Sequence, residues 1–209
     1  MNGAGIRKVP STLHDCFTFI SENGEAMKNL KCNSDNPMYS IVCRNVPDII
    51  RNELNLDCDN YHIKGFPGSG SWSHNIFIAI LDQKVSRGLN GLTPSRGIFP
   101  LYLFSKNCKT IYLAYMIGIG TFSERSVITL VSNLRNKIPH NGFHDDVSLM
   151  DIGSKYHDYS SATIFYKEYN YDNIPSEETL LSDLNLIMDI HTTVIDSGLF
   201  NELRFAMTR

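Results

Sequence analysis

Apolar positions recur at helical spacing toward the two ends of the chain and gather into short, strand-length runs in its middle. Leu13, Phe17 and Ile20, behind Pro10-Ser11, predict a capped amphipathic helix ending near Gly24. The polar stretch 31–37 reads as loop, and Pro47 opens a second short helix with Ile49, Ile50 and Leu54 on one side. From Tyr61 the period changes. Residues 61–64 and 75–81 are strand-length, with a glycine-serine loop, 65–71, between them. A long loop over 82–97, punctuated by Gly88, Gly91, Pro94 and Gly97, leads to strands over 98–104 and 110–115, which the turn Ser105-Lys106-Asn107-Cys108 joins as a hairpin. Val127, Ile128, Val131, Leu134 and Ile138 predict a helix over 123–138, and 161–166 is one more strand. Pro175-Ser176-Glu177-Glu178 then starts the strongest helix, with Ser176 as cap and two glutamates facing the positive end of its dipole. Leu180, Leu184, Ile187, His191 and Ile195 mark its buried side. The expected class is α+β: a small, largely antiparallel sheet flanked by N- and C-terminal helices, in one domain over 1–209.

Composition narrows the class without changing that picture. A chain of 209 residues with 42% hydrophobic and 20% charged side chains is long enough for one domain with a proper core. The longest apolar run, 111–117, is strand-sized, so no membrane span is expected. Arg7 and Lys8 are followed by His14 and Asp15 and not by an apolar core, which argues against a secretory signal. Five cysteines with no CxxC pair point to reduced thiols and a cytoplasmic setting, with neither a disulfide framework nor a structural zinc.

Charge does change the picture. The net charge of −3 conceals an asymmetry: residues 64–109 carry Lys64, Lys84, Arg87, Arg96, Lys106 and Lys109 against the single acid Asp82, whereas 141–209 hold 4 basic and 12 acidic groups. Affinity for a polyanion depends on cations that reach phosphates and not on the whole-chain sum. The central segment is therefore a candidate basic patch.

The same segment holds the candidate chemistry. In the run Gly65-Phe66-Pro67-Gly68-Ser69-Gly70-Ser71-Trp72, Gly68 and Gly70 permit backbone geometries and close approaches that a side chain blocks. Ser69, Ser71 and Trp72 are donors, and exposed backbone N–H groups suit phosphates. No Gly-Lys-Ser/Thr follows, and a strand comes next where a dinucleotide fingerprint needs a helix. Aromatic residues populate the strands behind it: Phe77, Phe99, Tyr102, Phe104, Tyr112 and Tyr115. Alternation puts Phe99 and Leu103 on one side and Tyr102 and Phe104 on the other, so one set is core and the other can line a pocket.

Four blocks in register carry a family resemblance. They are Lys64 to Trp72, Phe77-Ile78-Ala79-Ile80-Leu81, Gly97-Ile98-Phe99-Pro100-Leu101-Tyr102-Leu103-Phe104 and Ile111-Tyr112-Leu113-Ala114-Tyr115, and their order and spacing resemble the McrB N-terminal, DNA-binding domain. Ser161-Ala162-Thr163-Ile164, Tyr169, Ile174-Pro175-Ser176-Glu177-Glu178 and Asp183-Leu184 extend the likeness, which is clearest over 45–195. The resemblance implies a non-catalytic specificity module of a methylation-dependent restriction system. It would read double-stranded DNA by flipping a modified base, 5-methyl- or 5-hydroxymethylcytosine, into an aromatic pocket. A GTPase motor and a nuclease subunit would be its partners, and no cofactor of its own is implied. Carried over by position, the pocket falls on Phe77, Phe99 and Leu103 with Tyr115 nearby, and the backbone and wedge loop on Lys64, Gly68, Ser69, Gly70, Ser71 and Trp72. Two departures stand out. Ile76-Phe77 replaces the family's Pro-Trp pair, and the wedge position is Ser69, too small to fill the space a flipped base leaves, so that Trp72 or Phe66 would have to take over.

Two rival classes remain open at this stage. Asp82-Gln83-Lys84 at a strand end, with Asp57 or Asp59 upstream, resembles the Asp-x-Lys of metal-dependent nucleases. His140, His144, Asp145 and Asp146 could ligate a metal, although Asn141-Gly142 favours a surface turn. A protein-interaction domain would use the acidic face of the last predicted helix.

Overall fold

The computed structural model describes residues 10–89, 91–120, 123–152 and 159–206, with side chains as far as 202; Arg7 and Lys8 lie outside them. Helix α1 (Leu13–Lys28) starts one residue later than its apolar pattern suggested, because the hydroxyl of Thr12, not Ser11, accepts from Asp15 N–H. It runs straight through Gly24. A Cβ there would lie 2.7 Å from the Cys108 side chain, so this glycine is a packing position and not a stop.

The second helical region begins ten residues earlier than Pro47 indicated. Asn36 caps α2 (Pro37–Ser40), a π-helical turn follows (Ile41–Asn45), and α3 (Val46–Glu53) completes it. Pro47 has no N–H to give and would break a regular helix. The wide turn before it, in which Val46 N–H reaches back to Ile41 O, absorbs the mismatch.

Five strands make one antiparallel sheet in the order β1-β2-β5-β6-β7: β1 (Tyr61–Ser69), β2 (Ser71–Asp82), β5 (Ile98–Phe104), β6 (Thr110–Ile117) and β7 (Thr163–Asn170). The loop over 82–97 contains a separate two-stranded ribbon, β3 (Arg87–Gly88) with β4 (Gly91–Leu92). Helix α4 (Glu124–Lys137) buries Val127, Leu130, Val131 and Leu134, while Ile128 is 54% exposed. A single helical turn, α5 (Tyr159–Ala162), leads into β7. Helix α6 (Glu177–Asp196) starts on its Ser176 cap, and α7 (Leu199–Ala206) follows it. The α+β class holds.

Helices cover one sheet face. Phe17 of α1 meets Tyr102 and Phe104 edge-on, and Gly65 of β1 lies so close to the π-helical turn that a Cβ would sit 2.1 Å from Val42 O. On α6, Asp183 accepts from Tyr169 OH at 2.9 Å and pairs with Lys167. The opposite face is crossed by the strand-to-strand connection after α4. His144 exchanges backbone bonds with Tyr166 at the β7 edge, Tyr166 OH donates to Asp146 O at 2.9 Å, and Asp151 N–H donates to Tyr112 OH at 3.1 Å.

Glu177 does not serve its own helix. Its carboxylate accepts from Leu13 N–H at 3.0 Å and His14 N–H at 2.7 Å, capping α1 from 164 residues away. Glu177→Ala therefore leaves two first-turn donors of α1 unpaired, a loss of about 1 kcal/mol. The expected outcome is a melting temperature lower by about 2–4 °C, against little change for the exposed neighbour Glu178→Ala, both read by thermal unfolding.

Candidate nucleic-acid interface

The presumed glycine loop between the first two strands is a correction: it is a β-hairpin almost to its tip. Pairing continues through Phe66 opposite Phe77, Gly68 opposite Trp72 and Ser69 opposite Ser71, with a bulge between Phe66 and Gly68. Gly70, at φ +74°, forms the tip, and the bulge leaves Pro67 of β1 and residues 73–76 of β2 without partners in the ladder. At Gly68, φ is +122° and a Cβ would lie 2.1 Å from Ser71 O, so the bulge requires glycine. Asn75 donates to Phe104 O at 3.0 Å, which aligns it with the end of β5. The four residues beyond Asn75, 71–74, thus project past the sheet, by at most roughly 13 Å at ~3.3 Å per residue.

This arm is buttressed on one side. Trp72 donates its indole N–H to Leu30 O at 3.0 Å, and Cys32 bridges Gly70. The bulge resets the alternation along β2, and the bond to Leu30 holds Trp72 on the side of the loop after α1. Gly68, Ser69, Gly70 and Ser71 are exposed.

Register decides which aromatic residues share a surface. Phe66 opposes Phe77, Phe77 opposes Leu103, and Leu103 opposes Tyr112, a continuous row on the face away from α1 and α6. Phe66 and Phe77 are half-buried and stacked, with centroids 4.6 Å apart and 15° between planes. Lys64 Nζ stands 5.5 Å over the Phe66 ring, and Tyr159 lies 6.0 Å from Phe77 on its other flank. Leu103 is 0% and Phe99 3% exposed. Phe99 sits on the same face, two pairs further along, opposite Met116. Burial pushes the hydroxyl of Tyr112 up to about 12.

Tyr115 must be removed from this group. It pairs with Pro100, not Phe99, and so points to the other face, where its hydroxyl lies 3.0 Å from His191 Nδ1 and its ring stacks on Phe165. Two grooves lie elsewhere: one of about 960 Å³ between α1 and the helical region after Pro37, another of about 700 Å³ between the end of α4 and α6–α7.

The basic residues do not form one patch. Strand directions place Lys106 and Lys109 at the end of the sheet from which the arm projects, and Lys84, Arg87 and Arg96 at the opposite end. Lys106 is exposed beside the arm, its carbonyl joined to that of His74 through the Lys28 ammonium at 2.8 and 3.0 Å. Lys109 donates to Ser21 O at 2.8 Å and lies 4.0 Å over the Tyr171 ring. Lys84 pairs with Asp196 at 3.3 Å. Arg87 is exposed and Arg96 half-buried.

Asp82 and Lys84 diverge, which is not the geometry of a strand-end nuclease. Asp82 is 3% exposed. One oxygen accepts Lys84 N–H at 2.6 Å, and the other lies 3.5 Å from His191 Nε2. Asp57 spends its carboxylate on Asp59 N–H at 2.9 Å and the Asn60 amide at 2.7 Å. The histidine-rich segment is also structural. The His140 ring stacks on Phe165 at 5.4 Å, and Asp146 accepts from Ser148 N–H at 3.1 Å. Among the described residues, no group of three or more His, Cys, Asp or Glu is placed to hold a metal.

A projecting hairpin arm on a five-stranded antiparallel sheet, with helices packed on one face and an aromatic row on the other, defines the class of α+β domain. The chain belongs to the family described as "MrcB-like, N-terminal domain", matched over residues 20–196. No curated protein and no solved structure matches it. Membership supports the coarser part of the expectation, a DNA-binding module of a restriction system. Among the described residues, no helix is long and apolar enough to cross a membrane.

Phe66, a replacement wedge in the sequence reading, enters the aromatic row only through the bulged register that sets it opposite Phe77. His191 was missed as a site residue, because it reads only as one more position in an apolar stripe.

Burial would raise the Asp82 carboxyl, but the His191 ring 3.5 Å away, the Lys84 N–H and the Lys84 charge outweigh it and hold it below its ordinary 3.8. A depressed carboxylate stabilises the fold fully above that ordinary value and loses its contribution as pH falls through the lowered one. Asp82→Asn should therefore lower stability at neutral pH and flatten the acid limb of the curve. Urea midpoints across the acid range, in both proteins, check this.

Proposed function

We propose that the chain is the DNA-reading module of a methylation-dependent restriction system, without catalytic residues of its own. A GTPase motor domain and a nuclease subunit, as partners, would supply translocation and cleavage. The observation that carries the reading is the half-exposed Phe66–Phe77 stack, placed beside Lys64 and below the projecting arm. Aromatic faces at the edge of a sheet suit an unstacked base, and each stacked base contributes on the order of 1–3 kcal/mol.

In this reading the arm tip, Ser69–Gly70–Ser71, follows the DNA backbone through exposed N–H and hydroxyl donors, with Lys64 and Lys106 alongside. An everted base, 5-methyl- or 5-hydroxymethylcytosine, stacks first on Phe77. Leu103, the cross-strand neighbour of Phe77, is the apolar side chain beneath it, and Phe99 continues that face four residues along β5. Phe66, already stacked on Phe77, is the side chain a base would displace or join. It is a better candidate than Trp72 for the role that Ser69 is too small to fill, because Trp72 is tied to Leu30 on the opposite face.

Binding of matched duplexes, unmodified or carrying 5-methylcytosine, 5-hydroxymethylcytosine or N6-methyladenine, tests the proposal. Affinity should fall at least about tenfold between low and physiological salt as counterions are released. Phe77→Ala should lose the preference for modified DNA, by about tenfold, and keep the salt-sensitive binding to all duplexes. Equal affinity for all four duplexes in the wild-type chain refutes the modified-base reading. Cleavage in magnesium or manganese that disappears on Lys84→Ala refutes the non-catalytic one.

A further inference from the structure

The β3–β4 ribbon takes no part in the surface just described. Arg87 opposes Leu92 and Gly88 opposes Gly91, so Leu89 is the first residue of the tight turn between them. It is 96% exposed. Turns of this kind draw on glycine, asparagine and aspartate, whose backbone preferences they satisfy, and nothing in turn chemistry asks for leucine.

The base of this second arm is clamped. Val85 and Ser86 are buried, and Thr93 N–H donates to Ser86 O at 3.0 Å. A Cβ on Gly97 would lie 2.5 Å from Val85 O, and one on Gly118 would lie 2.3 Å from Arg96 N. These glycines let the 85–97 segment press onto the ends of β5 and β6. The result is a fixed base with an unpacked apolar tip.

Its charge environment selects the partner. No acidic residue occurs between Asp82 and Glu124. Asp82 is buried, and Asp196 nearby is taken up by Lys84. Arg87 is exposed next to the tip and Arg96 half-exposed at the base. An apolar point with uncompensated arginines suits a polyanion with stackable planes. The twelve residues of β2 separate this arm from the Gly70 arm. The eleven steps from its first residue to its last, at ~3.3 Å each, span at most roughly 36 Å, about one turn of B-form DNA.

We infer that Leu89 is an apolar wedge that enters a base step of duplex DNA, with Arg87 holding a flanking phosphate, so that the chain grips the duplex at two places. Aliphatic side chains inserted in this way partly unstack the step they enter. The inference rests on the DNA-binding reading above.

The test uses the full chain and short duplexes with 2-aminopurine at successive steps, whose fluorescence rises on unstacking. Binding is followed separately by anisotropy. Besides any rise over the Phe77 site, the wild-type chain should produce a second rise at a separate step, about one helical turn from the step under the Gly70 arm. Leu89→Ala should lose that second rise alone and bind about tenfold more weakly, Leu89→Met should retain both, and all should melt alike because the tip packs on nothing. If the wild-type chain binds and Leu89→Ala matches it in affinity and in the second rise, the inference is overturned and the DNA reading stands. A wild-type chain that binds no duplex overturns both. If Leu89→Ala leaves DNA binding unchanged but abolishes self-association in sedimentation, the tip is a protein contact and the wedge is overturned.

Discussion

A carboxylate can be buried in a sheet only if the groups around it supply what water would. Asp82 ends β2 in that position, and its two oxygens are shared between the Lys84 N–H and the His191 ring. His191 reaches on to Tyr115 of β6 at 3.0 Å, so one buried chain of polar groups joins β2, α6 and β6. Much of the geometry follows from it. It sets α6 against the sheet, turns the chain out of β2 at a defined angle, and thereby aims the ribbon that carries Leu89. A residue that looks catalytic in the sequence is a clasp in the fold.

The two faces of the sheet are built for different ends. On one, large apolar side chains and a few paired polar groups are sealed under α1, α3 and α6, and Gly65 lets the π-helical turn come into backbone contact with β1. On the other, a connection pinned by the hydroxyls of Tyr112 and Tyr166 covers the centre of the sheet and leaves the β1–β2 edge half open. The half-buried aromatic pair is the boundary of that cover. Close packing on the first face supports the projecting arm and the aromatic edge on the second.

Charge shows why linear counting misleads at a surface. Six cations fall within 64–109 and read as one patch, yet antiparallel strands carry neighbours in sequence to opposite ends of the sheet. Lys84 and Lys109 are further occupied by Asp196, Ser21 and Tyr171. What remains is two smaller basic sites, one beside each arm.

The sequence by itself determined the α+β class, the five main strands and the long helices in their order, and several boundaries. Helix and strand periods, capping hydroxyls such as Ser123 and Ser176, and turn residues act within a few positions of one another and so are written locally. Alternation alone placed Phe99 and Leu103 on one face. Only the tertiary structure decided that Tyr115 faces the other way from them, that Trp72 is tied to the loop after α1 while Phe66 stacks on Phe77, and that Glu177 caps a helix 164 residues distant. Those outcomes depend on strand register and on which backbone comes near which side chain. Both are set by the summed packing of the whole domain and not by any window of its sequence.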